Sequence, residues 1–118
     1  MGGFVVREED RDFVKVEWGR TKKIIGPEST GSKFMRVNTT EYGAGIAHSM
    51  HRHPNQEEVI FVLEGEGISR TRDGDKPIRA GSFVFIPADT DHETLNLQKD
   101  KPLKAIIMKA PPDEGKGR

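Results

Sequence analysis

The sequence predicts an all-β fold, an antiparallel sandwich or barrel, on three observations. No stretch sustains a helical period, and at least eight short runs carry the alternation or apolar density of strands. Turn residues recur between these runs at short spacing, and no internal repeat or low-complexity array interrupts them.

Residues 1–12 are rich in glycine and charge and are expected to be a flexible N-terminal segment. Phe13 to Trp18 alternates apolar and charged side chains, the period of a half-buried strand. Gly19 to Lys23 is a basic cluster expected as a solvated turn, and Ile24-Ile25 begins another strand before Gly26-Pro27. Phe34 to Thr39 reads as a strand, with Phe34, Arg36 and Asn38 on one face. Tyr42 to Ala47 is a loop that Gly43 and Gly45 allow to bend. Val59 to Leu63 and Ile68 to Arg72 are strands, the latter closed by the tight-turn dipeptide Asp73-Gly74. In Ser82 to Ile86 both faces are apolar, so both are expected to be buried. Pro87 to Asp91 turns the chain, His92 to Leu97 alternates again, and Leu103 to Met108 is the last strand. Residues 13–110 thus form one β-domain, and residues 111–118 have the composition of a flexible tail.

A length of 118 residues suits one domain with one core. Nineteen basic and nineteen acidic residues cancel, so no general attraction to nucleic acid exists. The absence of cysteine excludes disulfides and thiolate metal sites and fits a reducing compartment. The longest apolar run, Val59 to Leu63, is far too short to span a membrane. The N-terminus shows no secretory segment, which makes the cytoplasm the default location.

The chemistry concentrates between residues 45 and 96. His51 and His53 alternate, so an extended backbone points both imidazoles to one face, and Pro54 favours that extension at His53. Glu57 and Glu58 follow a short polar turn and offer a returning carboxylate. Three of the four histidines in the chain fall in this region, His92 being a further donor after a proline turn. Imidazole and carboxylate together suit first-row transition ions rather than calcium or magnesium.

The spacing of these residues resembles a known family. Gly45, five residues, His51, one residue, His53, four residues, Glu58, six residues, Gly65 is similar to the first motif of the cupins. Gly81, five residues, Pro87, four residues, His92, three residues, Asn96 is similar to the second, with fifteen residues between Gly65 and Gly81. One position departs from the pattern: Asp89 stands where the family usually has glycine, a change that aspartate tolerates in a left-handed turn. The resemblance implies a single cupin barrel of jelly-roll type, with His51, His53, Glu58 and His92 holding one divalent transition metal. Glu57 is the alternative carboxylate, and the motif spacing selects Glu58. His48 has no motif position and is expected to face solvent.

Three imidazoles and one carboxylate leave positions open on a five- or six-coordinate ion. Iron or manganese is the expected occupant; zinc, nickel, copper and cobalt are compatible. An enzyme acting on a small oxygen-rich metabolite, a dioxygenase or an isomerase or lyase, is the favoured function. A non-catalytic module binding a small molecule or metal is the alternative. Arg36, Tyr42, His48, Arg70 and Met108 are candidate pocket residues. The expected partners are a small-molecule ligand and a second copy of the chain, paired through the Phe13 to Trp18 strand, with neither nucleic acid nor membrane.

Overall fold

The computed structural model describes residues 3–113. After a 3-10 turn at Glu8–Asp10, ten strands follow: β1 (Val14–Val16), β2 (Gly19–Ile25), β3 (Arg36–Tyr42), β4 (Ala47–His51), β5 (Glu57–Glu64), β6 (Glu66–Thr71), β7 (Gly74–Arg79), β8 (Phe83–Ile86), β9 (His92–Asn96) and β10 (Leu103–Ala110). They make a six-stranded sheet in the order β1-β2-β3-β10-β5-β8 and a four-stranded sheet in the order β4-β9-β6-β7. Every strand pair is antiparallel. The inner faces enclose a core of Tyr42, Ile60, Val62, Ile78, Ile86, Leu103, Ala105 and Ile107, the jelly-roll arrangement that the sequence predicts. No helix among the described residues is long and apolar enough to cross a membrane.

The in–out alternation of the strands sets what lies inside. On β10 the inward positions are Leu103, Ala105 and Ile107, all buried, and on β5 they are Glu58, Ile60 and Val62. Gly67 on β6 lies opposite Asn96 and cannot be enlarged: a Cβ there would sit 2.3 Å from the Leu95 carbonyl oxygen. Gly74 at φ 110° closes the β6–β7 hairpin after Asp73, as the Asp-Gly dipeptide implies.

Two local expectations fail. Gly19 to Lys23 is not a solvated turn but most of β2, paired along β3 from Gly19↔Tyr42 to Lys23↔Asn38. Its basic residues are tolerated because Arg20 and Lys22 lie over the Phe13 ring, at 3.8 and 4.6 Å, and Arg20 also bonds Glu41. Pairing with β3 outweighs the local signal for a turn. The second failure is β8, of which only one face is buried. Ile86 is 3% exposed, whereas Phe83 and Phe85 are 71% and 59% exposed on the outside of the sheet.

These phenylalanines belong to a larger outer surface. The register aligns Ile25, Val37, Met108, Val59 and Phe85 in one row across five strands. A second row aligns Thr39, Ile106, Phe61 and Phe83. The first row is uncharged, and the second continues onto β2 at Lys22, opposite Thr39.

Candidate metal centre

Three strands and one loop bring His51, His53, Glu58 and His92 together at one end of the barrel. His51 ends β4 and pairs with His92 at the start of β9, so the two imidazoles share an inward-facing cross-strand position. Glu58 is 4% exposed on the inner face of β5, whereas Glu57 points to solvent. Neighbours on a strand face opposite ways, so only one of the two can turn inward, and it is the one the motif spacing selects. His53 is buried in the loop between β4 and β5. Its carbonyl accepts hydrogen bonds from the Asp89 and Gln56 amides, at 2.9 and 3.3 Å, which ties the two motif loops together. Arg52 reinforces the tie with a fork onto Asp91 at 2.7 and 2.8 Å and a bond to Asp89 at 3.1 Å. Asp89 adopts φ 57°, the left-handed turn expected where the motif usually has glycine.

The hydrogen bonds fix which ring nitrogens face the centre. His92 Nδ1 lies 3.0 Å from the Thr90 carbonyl oxygen and His51 Nδ1 lies 2.6 Å from that of Ser49. A carbonyl only accepts, so each Nδ1 carries a proton and each Nε2 presents a lone pair. His53 Nε2 and His92 Nε2 both approach Glu58 Oε1, at 3.3 and 3.5 Å. Lone pairs facing a carboxylate repel unless a proton or a cation lies between them. One ligand atom from each of the four residues falls within 4.8 Å of the others. An ion bonded at about 2.1 Å would draw them only slightly closer. The residues therefore fit a metal ion, and a proton competes for the same space.

Burial acts on every titratable group nearby. Burial alone would raise the Glu58 carboxyl, but positive charge set against it outweighs burial, from His53 and His92 when Nε2 carries a proton and from the Lys109 ammonium, and Glu58 is held well below the usual carboxylate range. His51 is lowered from its ordinary value chiefly by burial. His48 is pushed down to about 3, by burial first and then by the neighbouring His51. Tyr42 is raised by burial and by the Glu58 charge, so it remains a neutral phenol.

His48 does not face solvent as expected. Its register with Thr94 and that of His51 with His92 differ by one residue, a β-bulge that turns both rings to the same face. His48 stacks on His51 at 3.8 Å between ring centroids, and on Trp18 at 4.3 Å. Trp18 in turn stacks on Tyr42 at 4.9 Å, which continues the row of rings away from the metal cluster.

The other candidate pocket residues are placed elsewhere, apart from Tyr42. Arg36 bonds Glu28 and the Pro112 carbonyl, Arg70 bonds Asp75 and Glu93, and Met108 lies on the outer surface. A cleft of about 930 Å³ opens between β7 and β8, lined by Ser69, Ile78, Val84 and Ile86 among others. None of the four clustered groups lines it; Ile86, the register partner of Glu58, stands between.

Residues 38–109 match the family model of the cupin domain. A germin-like protein of Arabidopsis thaliana, subfamily 2 member 4, is 32% identical over 77% of this chain and 42% of its own length. Dimethylsulfoniopropionate lyase DddW of Ruegeria pomeroyi is 30% identical over 73% of this chain and 54% of its own. The chain thus spans about half the length of these curated relatives. Among solved structures, a predicted oxalate decarboxylase from Thermotoga maritima superposes with a TM-score of 0.80 at 19% identity, covering 91% of this chain and 98% of that one. With both motifs in register and a buried histidine–glutamate cluster at the barrel end, this chain belongs to the cupin family.

Proposed function

We propose that the chain is a metal-dependent enzyme acting on a small oxygen-rich metabolite, with one divalent transition ion held by His51, His53, Glu58 and His92. The observation that carries this reading is the convergence of two imidazole nitrogens on one buried carboxylate oxygen, at 3.3 and 3.5 Å. Iron or manganese is the expected ion, with zinc, nickel, copper and cobalt compatible with the same donors. Such an ion supplies Lewis-acid polarisation and, if redox-active, electron exchange with oxygen. The chain's own residues turn Nδ1 of His51 and His92 onto backbone carbonyls, keep Glu58 ionised and place the buried Ile60 and Ile86 next to it, which limits the access of water. The similarity to a lyase supports elimination or isomerisation alongside oxygen chemistry.

The test is reconstitution of metal-free protein with iron(II), manganese(II) or zinc(II), followed by assays of small hydroxy acids, diketones and uronates with and without oxygen. Turnover that needs iron and consumes oxygen assigns a dioxygenase. Equal anaerobic turnover with zinc assigns a lyase or isomerase. Metal binding without turnover on any of them returns the chain to the binding-module reading.

We also propose that the chain pairs with a second copy through the outer face of the six-stranded sheet. At about 200 Å² per phenylalanine, Phe83 and Phe85 alone leave about 260 Å² of apolar surface in water, at the β8 edge of two rows that are uncharged from β3 to β8. A stable interface covers about 800 Å² per partner, and two such flat faces can stack as a second sandwich layer. Light scattering is expected to give twice the 13.2 kDa chain mass. Phe85→Asp is expected to give the single-chain mass with metal content intact; a single-chain mass for the unaltered protein rejects the pairing.

A further inference from the structure

Three of the clustered donors sit on strands and one does not. His51, Glu58 and His92 lie on β4, β5 and β9, whereas His53 lies in the loop of residues 52–56. A strand donor moves only when its ladder opens, so the His53 loop is the part of the centre that local opening reaches first. Towards β9 the loop is held by the Asp89 amide on the His53 carbonyl, and by the Arg52 pairs with Asp89 and Asp91, which are exposed and contribute little. Towards β10 its buried tie is Gln56, which is 2% exposed and faces the same way as Glu58 two residues on.

The two prolines that end β10 explain what Gln56 does. Ala110 pairs with Glu57, so Pro111 comes next, opposite Gln56. Proline has no N–H with which to continue the ladder, yet its carbonyl still needs a donor. Side chains supply it. Gln56 Nε2 donates to the Pro111 carbonyl at 3.0 Å, and Arg36 Nε donates to that of the buried Pro112 at 2.9 Å. Arg36 is itself forked onto Glu28 in the loop after β2. The end of β10 is thereby fixed from one side by β3 and from the other holds the loop that carries His53.

We propose that Gln56 and the Pro111–Pro112 end of β10 form a clasp on the His53 loop, that an ion enters and leaves the centre by movement of this loop, and that Gln56 is the positioning residue that sets the rate. This rests on the metal-binding reading above. With the clasp shut, His53 Nε2 stands against Glu58 at 3.3 Å and completes the cluster. With it open, the three strand donors stay in place and His53 is withdrawn. A clasp that shuts with or without the ion slows uptake and release together, and so leaves affinity nearly untouched. A residue that merely supports a donor acts otherwise, and its loss lowers affinity about ten- to a hundredfold.

The experiment follows zinc uptake and release by stopped flow against a chelating dye, with circular dichroism to confirm the fold. Gln56→Met keeps the length and burial of the side chain and removes the donor. It is expected to speed uptake and release alike by about three- to tenfold, the factor one hydrogen bond supplies, with zinc affinity kept within about threefold. Arg36→Met frees Pro112 at the far end of the clasp and is expected to act in the same direction. The double variant is expected to gain less than the product of the two, because both open one clasp. Hydrogen exchange of the metal-free protein gives a reading that needs no ion. In Gln56→Met the Gln56 and Asp89 amides, both bonded to the His53 carbonyl, are expected to exchange about three- to tenfold faster, with the central amides of β10 unchanged. Unchanged zinc rates in a folded Gln56→Met protein overturn the clasp, as does a fall in affinity without faster uptake. Failure of the unaltered protein to take up zinc, with the exchange result standing, overturns the metal reading instead.

Discussion

Replacing His92 with alanine is expected to empty the metal centre, lowering affinity by more than about a hundredfold. Removing a residue that only supports a metal ligand typically costs ten- to a hundredfold, and His92 is itself placed as a donor. It is 1% exposed, its Nδ1 is spent on Thr90, and its Nε2 faces Glu58 Oε1 at 3.5 Å. No other side chain can swing into that position without breaking the β4–β9 register. His48→Phe preserves the stack on His51 while removing the fourth imidazole, and it is expected to cost no more than about tenfold. Metal content after dialysis, with circular dichroism to confirm the fold, reads both variants. Acid is a second route to the same loss, since a proton on Nε2 fills the place an ion would take. Metal retention by His92→Ala together with loss in His48→Phe would show that the donors have been misassigned.

The cluster was legible in the sequence because the spacing of the two motifs ties His51, His53 and Glu58 to His92. Alternation puts His51 and His53 in phase, and it leaves room for only one of Glu57 and Glu58 to face inward. The turn at Asp89 was legible too, as a residue type that accepts positive φ. What could not be read depends on partners distant in sequence. The bulge that turns His48 inward exists only in the pairing of β4 with β9. The Arg52 fork reaches 39 residues along the chain to Asp91. Phe83 and Phe85 mislead because an apolar strand looks the same whether its second face meets a core or another molecule. Lys109 had a signal that was available: extending the inward series of β10 by one step places a charge inside the barrel.

Asn96 supports the opposite end of the barrel, and Asn96→Ala is expected to cause the largest loss of stability of any single side-chain truncation discussed here. The residue is fully buried. The two hydrogens of its Nδ2 are shared among the carbonyls of Tyr42, Gly43 and Lys101 at 3.1, 3.1 and 2.8 Å, and its Oδ1 accepts from the Gln98 backbone amide at 2.9 Å. One amide therefore joins the end of β3, the loop after it and the turn before β10. Alanine leaves three carbonyls and an N–H in a space too small for water to replace every bond. An unsatisfied buried group costs about 1–3 kcal/mol, and partial relaxation makes the sum about 3–5 kcal/mol. For a chain of this size that is a fall in melting temperature of about 10–20 °C. Asn96→Asp is no rescue: it keeps the acceptor for Gln98 but sets a carboxylate against three carbonyl oxygens. Asn38→Ala removes an amide whose oxygen has no partner, and is expected to change stability by less than about 1 kcal/mol. Thermal and urea unfolding of the three variants decides the matter. If Asn96→Ala and Asn38→Ala unfold alike, the barrel end is not held by this amide, and the loop connections must be stabilised by Trp18 and Tyr42 packing instead.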